Sequence, residues 1–242
     1  MGLREGLRGS AMPITMYDLA GSDSDRRFSP FCWRARMALA HKGLAVETVP
    51  WRFTEKDKLP APNEGRVPVI VDDGKVIHDS SAIAEYLERQ YPDRPLLFGG
   101  DTARALTRFV QNWTETVLQV GLIRFVVLDI YRHVGPADQE YFRRSREARF
   151  GTTLEEVVKD REARLPAFRA SLDPLRRTVE RQDFVAGAAP GYADYIVFGA
   201  FQWARSVSEF ELLAADDPIA AWRGRMLDLH GGLARQARAY GG

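Results

Sequence analysis

An α/β domain followed by an all-α domain is what this sequence predicts, on three observations. Short apolar runs of strand length alternate with helical runs as far as residue 92. PDRPLLFGGD (92–101), with two prolines and two glycines, then breaks all periodicity and reads as a linker. Beyond it no run reads as a strand. The division is 12–92 for the first domain, 93–101 for the linker and 102–236 for the helical domain.

The elements of the first domain follow in order. ITMYDLA (14–20) reads as a strand. FSPFCWRARMALAHKG (28–43) then opens with Ser29 as N-cap and Pro30 at the first helical position, where a missing N–H costs nothing. Cys32, Ala35 and Leu39 recur at helical spacing, as do Trp33, Met37 and Ala40, and Gly43 closes the helix. VETVPW (46–51) is a second strand, and FTEKDKLPAPNEG (53–65) is a polar loop with room for one short helix. VPVIVDD (67–73) and KVIHD (75–79) flank Gly74 as a hairpin, and SSAIAEYLERQY (80–91) is helical. The order is β-α-β-(α)-β-β-α.

In the second domain Leu106, Phe109, Val110, Trp113, Val117 and Val120 fit one long helix. Thr153 and Glu156 form a capping box before Val157 and Val158. Pro166 and Pro174 are expected to kink or break the helix that holds them. GYADYIVFGAFQWARSV (191–207) is strongly apolar and therefore a central helix.

Composition narrows the function. Of 242 residues, 45% are hydrophobic and 28% charged, which suits a packed globular core. The net charge of +1 provides no global field for nucleic acid or an anionic membrane. The basic run RRSREAR (143–149) reads as a solvated helix face. One cysteine forms no internal disulfide, which fits a reducing compartment. No apolar run reaches the ~18 residues of a membrane span. MGLREGLRGSA (1–11) lacks a signal-peptide apolar region and reads as a flexible extension, with the fold starting near Met12.

Three features of the first domain carry candidate chemistry. Ser29 opens a helix directly after the first strand and its loop; as a cap it already has a complete structural explanation. Val67-Pro68 heads the third strand, where a cis bond would turn the Val67 backbone outward. Asp79-Ser80 joins the last strand to the last helix. There free N–H groups and the Ser80 hydroxyl suit a carboxylate, and Asp79 suits an ammonium. The pair would recognise an α-amino-acid head group; taken alone, helix capping is the better explanation. Cys32 sits one turn inside its helix and reads as core filling rather than a redox thiol. His41, His78, His133 and His230 have no metal-ligand spacing, and no metal is expected.

The S-P-F-C-W-R helix start, VP before a strand, DSSAIAEYL and the element order resemble the glutathione transferases. The resemblance covers about residues 12–235. It implies a thioredoxin-like N-terminal domain (βαβαββα, mixed sheet) and an all-α C-terminal domain. Four stretches, SPFCWRARMALAHKG, RVPVIVDDGKVIHDS, AIAEYLERQYPDRPLLF and RQDFVAG with YADY, are similar to the bacterial glutathione-dependent β-aryl etherases and related fungal serine-type transferases. The 52–65 loop and the lack of a long C-terminal tail depart from those enzymes.

The resemblance implies glutathione as co-substrate. Ser29 would face its sulfur as the catalytic residue. Val67 would pair with the cysteinyl backbone, and Asp79 and Ser80 would hold the γ-glutamyl head group. Lys56, Lys58 and Arg66 are candidates for the glycyl carboxylate, though a solvated surface role is the better reading for any one of them. Pro68 would shape the Val67 backbone. Asp194 takes the family's capping position near the start of the central helix, with Gly191 where Ser or Thr is usual. The second substrate would be a hydrophobic aromatic molecule, with Trp113, Phe125 and Tyr131 as candidate contacts, each equally readable as plain core. The implied state is a cytoplasmic homodimer that binds neither nucleic acid nor membrane. A non-catalytic ligand-binding or partner-docking protein of the same fold is the alternative.

Overall fold

The structure, a computed structural model, describes residues 13–240. The expectations for residues 1–11 and for a start at Met12 lie outside the described residues.

Four strands form one mixed sheet in the order β2-β1-β3-β4: β1 (Ile14–Leu19), β2 (Val46–Trp51), β3 (Val69–Asp72) and β4 (Lys75–His78). β1 runs parallel to β2 and antiparallel to β3, and β3 and β4 form the expected hairpin with Val69 opposite His78. The parallel pair needs a crossover, and α1 (Pro30–His41) supplies it. A single 3-10 turn, Lys56–Lys58, occupies the polar loop, and α2 (Ser80–Gln90) follows β4. This is the thioredoxin-like arrangement.

The helical domain begins at α3 (Asp101–Trp113), passes through a π-helical turn (Thr114–Leu118) and continues as α4 (Gln119–His133). The expected single long helix is therefore continuous but widened by a π-helical turn at its middle. Its expected apolar stripe is only partly a core face: Leu106 and Phe109 are 64% and 72% exposed, while Thr107, Thr114 and Leu118 turn inward. α5 (Pro136–Phe150), α6 (Leu154–Val158), α7 (Arg161–Ser171), α8 (Asp173–Val179), α9 (Tyr192–Val207) and α10 (Pro218–Gly232) complete the domain. Thr153 caps α6 by accepting the Glu156 N–H at 3.3 Å. Pro174 stands in the first turn of α8, as a helix-starting proline should. Pro166 breaks nothing: α7 runs through it.

α9 is the central element, buried along nearly its whole length. Its N-terminus is held by Asp194. The carboxylate accepts the backbone N–H groups of Val185 (2.6 Å), Ala186 (3.0 Å) and Gly191 (3.1 Å) and the Trp222 indole N–H (3.0 Å). Gly191 is a glycine for want of room, because a Cβ there would lie 2.9 Å from that of Ala186. The 93–101 segment has no regular structure up to Gly100 but is not loose. Glu88 accepts the N–H groups of Leu97 and Phe98 and the Lys42 ammonium at 2.6 Å.

α1 lies directly on α9. A Cβ on Gly199 would come within 2.4 Å of the Pro30 carbonyl oxygen. At the other end of α1, His41 donates from Nε2 to the Leu96 carbonyl (3.0 Å), so its Nδ1 accepts the Tyr195 hydroxyl (2.6 Å). His230 closes the relay on the Tyr195 oxygen at 3.1 Å, from a left-handed kink in α10. No helix among the described residues is long and apolar enough to cross a membrane.

Two outcomes follow. Gly199→Ala should destabilise the protein by about 1–3 kcal/mol or more, because backbone cannot yield as a side chain would; chemical denaturation measures it. Burial, together with the charge of His41, lowers the His230 pKa to about 4. The unfolded chain, with a histidine near ~6.5, then binds more protons between those values, so stability falls as pH drops through that window. Replacing His230 by Asn should flatten the fall in melting temperature between pH ~6.5 and ~4.

Candidate active site

Topology brings the three candidate features to one edge of the sheet. The β3–β4 register pairs Val69 with His78, so the chain leaving β4 into Asp79 and Ser80 and the Val67-Pro68 segment entering β3 are at the same end of these strands. β1 ends at Leu19, whose carbonyl accepts the Phe28 N–H at 3.3 Å, which carries the chain to Ser29 at the same edge. The Val67-Pro68 peptide is cis.

Ser29 caps α1: its Oγ accepts the Cys32 N–H at 3.2 Å. An oxygen used as acceptor keeps its own O–H to donate. The Cys32 sulfur is its neighbour, but Cys32 is fully buried. Burial, reinforced by the Asp18 charge, pushes its thiol well up, so it stays protonated. Asp79 has a left-handed backbone (φ 72°) and caps α2, accepting the N–H groups of Ser81 (2.9 Å) and Ala82 (3.0 Å) on Oδ1. The Ser80 hydroxyl is buried with no hydrogen-bond partner among the described residues, while its carbonyl accepts the Tyr192 hydroxyl of α9 at 2.7 Å. A buried hydroxyl with donor and acceptor capacity to spare, beside a residue with positive φ, fits a polar ligand group.

A cavity of about 620 Å³ opens between the domains, with Ser29 and Val67 in its wall. Asp79 and Ser80 lie beside it at the sheet edge and do not line it. Phe28, Phe31 and Phe53 form its sheet side; Ile123, Phe142 and Trp203 face them from the helical domain. The 52–65 loop is tied across this gap by Asp138 at the start of α5, whose carboxylate accepts the Phe53 (3.2 Å) and Thr54 (2.9 Å) N–H groups. That tie holds Phe53 against Phe142, ring centroids 5.8 Å apart.

Trp113, Phe125 and Tyr131, the expected substrate contacts, are not in the cavity wall. Phe125 is core, packed between Phe168 and Phe210. Tyr131 is covered by the Arg143 guanidinium, and Trp113 packs against the core. α5 contributes instead: Phe142, Ser145, Arg146, Arg149 and Phe150 all line the cavity. Their spacing, i, i+3, i+4, i+7 and i+8, is one helix face. Thus the RRSREAR run is only partly a solvated face. Among the glycyl-carboxylate candidates, Lys58 is ion-paired to Glu55 at 2.6 Å, Lys56 lies over the Tyr141 ring, and Arg66 lines the cavity. Among the described residues no group of three or more His, Cys, Asp or Glu side chains could hold a metal.

A thioredoxin-like sheet, a helix-start serine following its central strand and a ring-lined cavity shared with an all-helical domain define a two-domain fold. The glutathione S-transferase N-terminal domain matches residues 24–95 and the C-terminal domain of the same family matches 105–229. The chain belongs to the glutathione S-transferase family. It is similar to a glutathione transferase of Phanerochaete chrysosporium (25% identity, TM-score 0.80, covering 94% of this chain and 98% of that one). A glutathione S-transferase of Ceriporiopsis subvermispora, solved in complex with glutathione, is similar at 26% identity and TM-score 0.70, covering 93% and 94%. Glutathione S-transferase U7 of Arabidopsis thaliana is 26% identical over 184 residues, 75% of this chain and 69% of that protein.

As a cap, Ser29 predicts its own removal: Ser29→Ala should lower stability by about 0.5–2 kcal/mol, read from the denaturation midpoint.

Proposed function

We propose that the protein is a glutathione S-transferase in which Ser29 holds bound glutathione as its thiolate for attack on an aromatic electrophile. The observation that carries this reading is the Ser29 hydroxyl: its oxygen is engaged by the Cys32 N–H, which leaves its proton for a ligand in the cavity. Val67, with its backbone turned by the cis bond to Pro68, pairs with the cysteinyl unit. Ser80 offers its unpartnered hydroxyl to the γ-glutamyl carboxylate. Asp79 keeps Oδ2 for the ammonium, since Oδ1 takes both cap bonds. Arg66 is favoured for the glycyl carboxylate over the ion-paired Lys58.

The energetics suffice. Moving a thiol from about 8.5 to about 6.5 requires roughly 2.7 kcal/mol. A hydrogen bond to a charged group supplies about 1.5–3 kcal/mol, and a helix N-terminus about 0.3–1 more. Serine donates and need not ionise. The thiol proton goes to solvent, sulfur forms the new C–S bond, and the leaving group departs with the electron pair of the bond that breaks. In β-aryl ether cleavage the leaving group would be a phenolate, protonated by solvent; the ring-lined cavity suits that substrate class too.

The division at 93–101 assigns glutathione to the first domain and the acceptor mainly to the second. The lone cysteine fits a cytoplasmic location. Homodimerisation through α3 would cover Leu106 and Phe109, which the cavity does not use.

Spectroscopic titration of bound glutathione tests the reading. Ser29→Ala should raise its thiol pKa by about one unit or more and slow transfer at neutral pH by about tenfold or more. An unchanged titration and an unchanged rate would reduce Ser29 to a cap. Phe109→Glu should shift the protein to monomer in sedimentation velocity, as a charge in an apolar interface is not tolerated; an unaltered oligomeric state would remove α3 from the interface.

A further inference from the structure

The cavity is ring-lined but not neutral. On α5, Arg143 is satisfied by Glu147 (2.8 Å) and Glu155 (2.9 Å), and Arg144 faces Glu140 at 4.0 Å. Arg146 and Arg149, on the face turned to the cavity, take part in no ion pair among the described residues. The carboxylate in the cavity wall, Glu115, is already held by the Arg34 guanidinium (2.7 Å) and the Gln111 amide (3.1 Å). Arg66, Arg146 and Arg149 therefore leave the cavity electropositive.

Arg146 is seated for recognition rather than for solvent. Its guanidinium lies 4.5 Å from the centroid of Phe142 and 5.1 Å from that of Phe53. It donates through Nη1 to Ser145 Oγ at 2.9 Å, which leaves further N–H groups for a ligand. Burial lowers its pKa, and the Arg149 charge adds to the effect, while the Tyr141 phenol opposes it. A partly desolvated cation with no carboxylate partner gains from an incoming anion. Two ring contacts connect it to the reacting end: Phe28, next to Ser29, stands 6.4 Å from Phe53, over which Arg146 sits.

The geometry points to an acceptor that is anionic as well as aromatic, its carboxylate received by Arg146, with Arg149 adding charge, and its electrophilic carbon at the Ser29 end. This inference rests on the transferase reading of the same cavity and names its substrate class. The arginine fork suits the carboxylate. The neighbouring rings hold the arene.

The test compares 4-chloro-3-nitrobenzoate with its methyl ester, each rate divided by the uncatalysed reaction with glutathione. In both, the C–S bond forms, chloride leaves with the C–Cl electron pair, and the thiol proton goes to solvent. Arg146→Gln should lower the acid-to-ester ratio of kcat/KM by about tenfold or more, and Arg146→Lys by less. Calorimetry without glutathione should show unreactive 4-methyl-3-nitrobenzoate binding more tightly than the matching benzamide, an advantage lost in Arg146→Gln. Should Arg146→Gln fail to fold, Arg149→Gln at the exposed position should lower the same ratio by a smaller factor, and added salt should weaken only benzoate binding.

A ratio unchanged within about twofold in the folded variants overturns the inference. So does a Arg146→Gln effect confined to the KM for glutathione, which would assign the guanidinium to the glycyl carboxylate. Transfer to both compounds with an Arg146-independent ratio keeps the transferase reading and removes the anion site. Arg146-dependent benzoate binding without transfer to either compound does the reverse.

Discussion

The contact of α1 with α9 is the constraint on which the molecule depends. At Gly199 the helices approach so closely that a Cβ would overlap the Pro30 carbonyl. Pro30 is the first residue after the Ser29 cap, so the same contact that joins the two domains also positions the helix start at the cavity. Arg34, one turn on, is fully buried in this joint, where its charge is met by Glu115. A buried charge left without its partner would be strongly unfavourable, so the pair requires that α1 and the π-helical turn stay together. Glu115 is tied onward through Gln111 to the Ser81 hydroxyl (2.9 Å) at the start of α2. The helix starts of α1 and α2, which carry Ser29 and Asp79-Ser80, are thus referred to one frame.

Satisfied polar groups fix that frame at its margins. Asp194 is buried, and burial raises its pKa while four N–H donors oppose that rise. Those bonds lock the 185–191 turn and α10 onto the start of α9. Glu88 does the same for the interdomain segment and Asp138 for the loop bearing Phe53. Each is a carboxylate accepting backbone N–H groups from a segment with no regular partner of its own, the economical way to satisfy buried irregular backbone. The relay from Leu96 through His41 and Tyr195 to His230 closes the end of α1 remote from the cavity.

Much of this was legible in the residues. Period-2 and helical patterns located every strand and the helices α1, α2 and α9 to within a few residues, because each has one dominant apolar face or a strong cap. α3 was harder. Leu106 and Phe109 belong to a genuine apolar stripe, but periodicity does not say what a stripe faces, and here it faces outward. Pro166 does not break α7, which continues past it to Ser171. The family resemblance points to Ser29, Val67 and Asp79-Ser80, and the β1–β3 and β3–β4 pairings put the segments that carry them at one end of the strands. The acceptor side was nearly illegible. Trp113, Phe125 and Tyr131 were attractive as aromatics, but their position relative to the sheet is a tertiary fact. RRSREAR reads as a solvated run, yet Ser145, Arg146 and Arg149 share the helix face of Phe142 and Phe150.

The cysteine one turn after Ser29 shows why the helix start is built for hydrogen bonding and not for thiol chemistry. A helix N-terminus lowers a thiol pKa only when the sulfur meets the free N–H groups and solvent. Cys32 has no solvent, and the nearby Arg27 charge does not offset its burial. Asp18, fully buried beneath it, is approached by Arg36 (3.5 Å) and Arg27 (3.7 Å), and burial still raises the Asp18 pKa. A carboxylate in that position disfavours a second negative charge on sulfur. The free dipole of α1 is therefore not spent on Cys32. It emerges at Ser29, where a neutral hydroxyl adds a donor and no charge, and where an anion arriving from the cavity would be the first group to meet it.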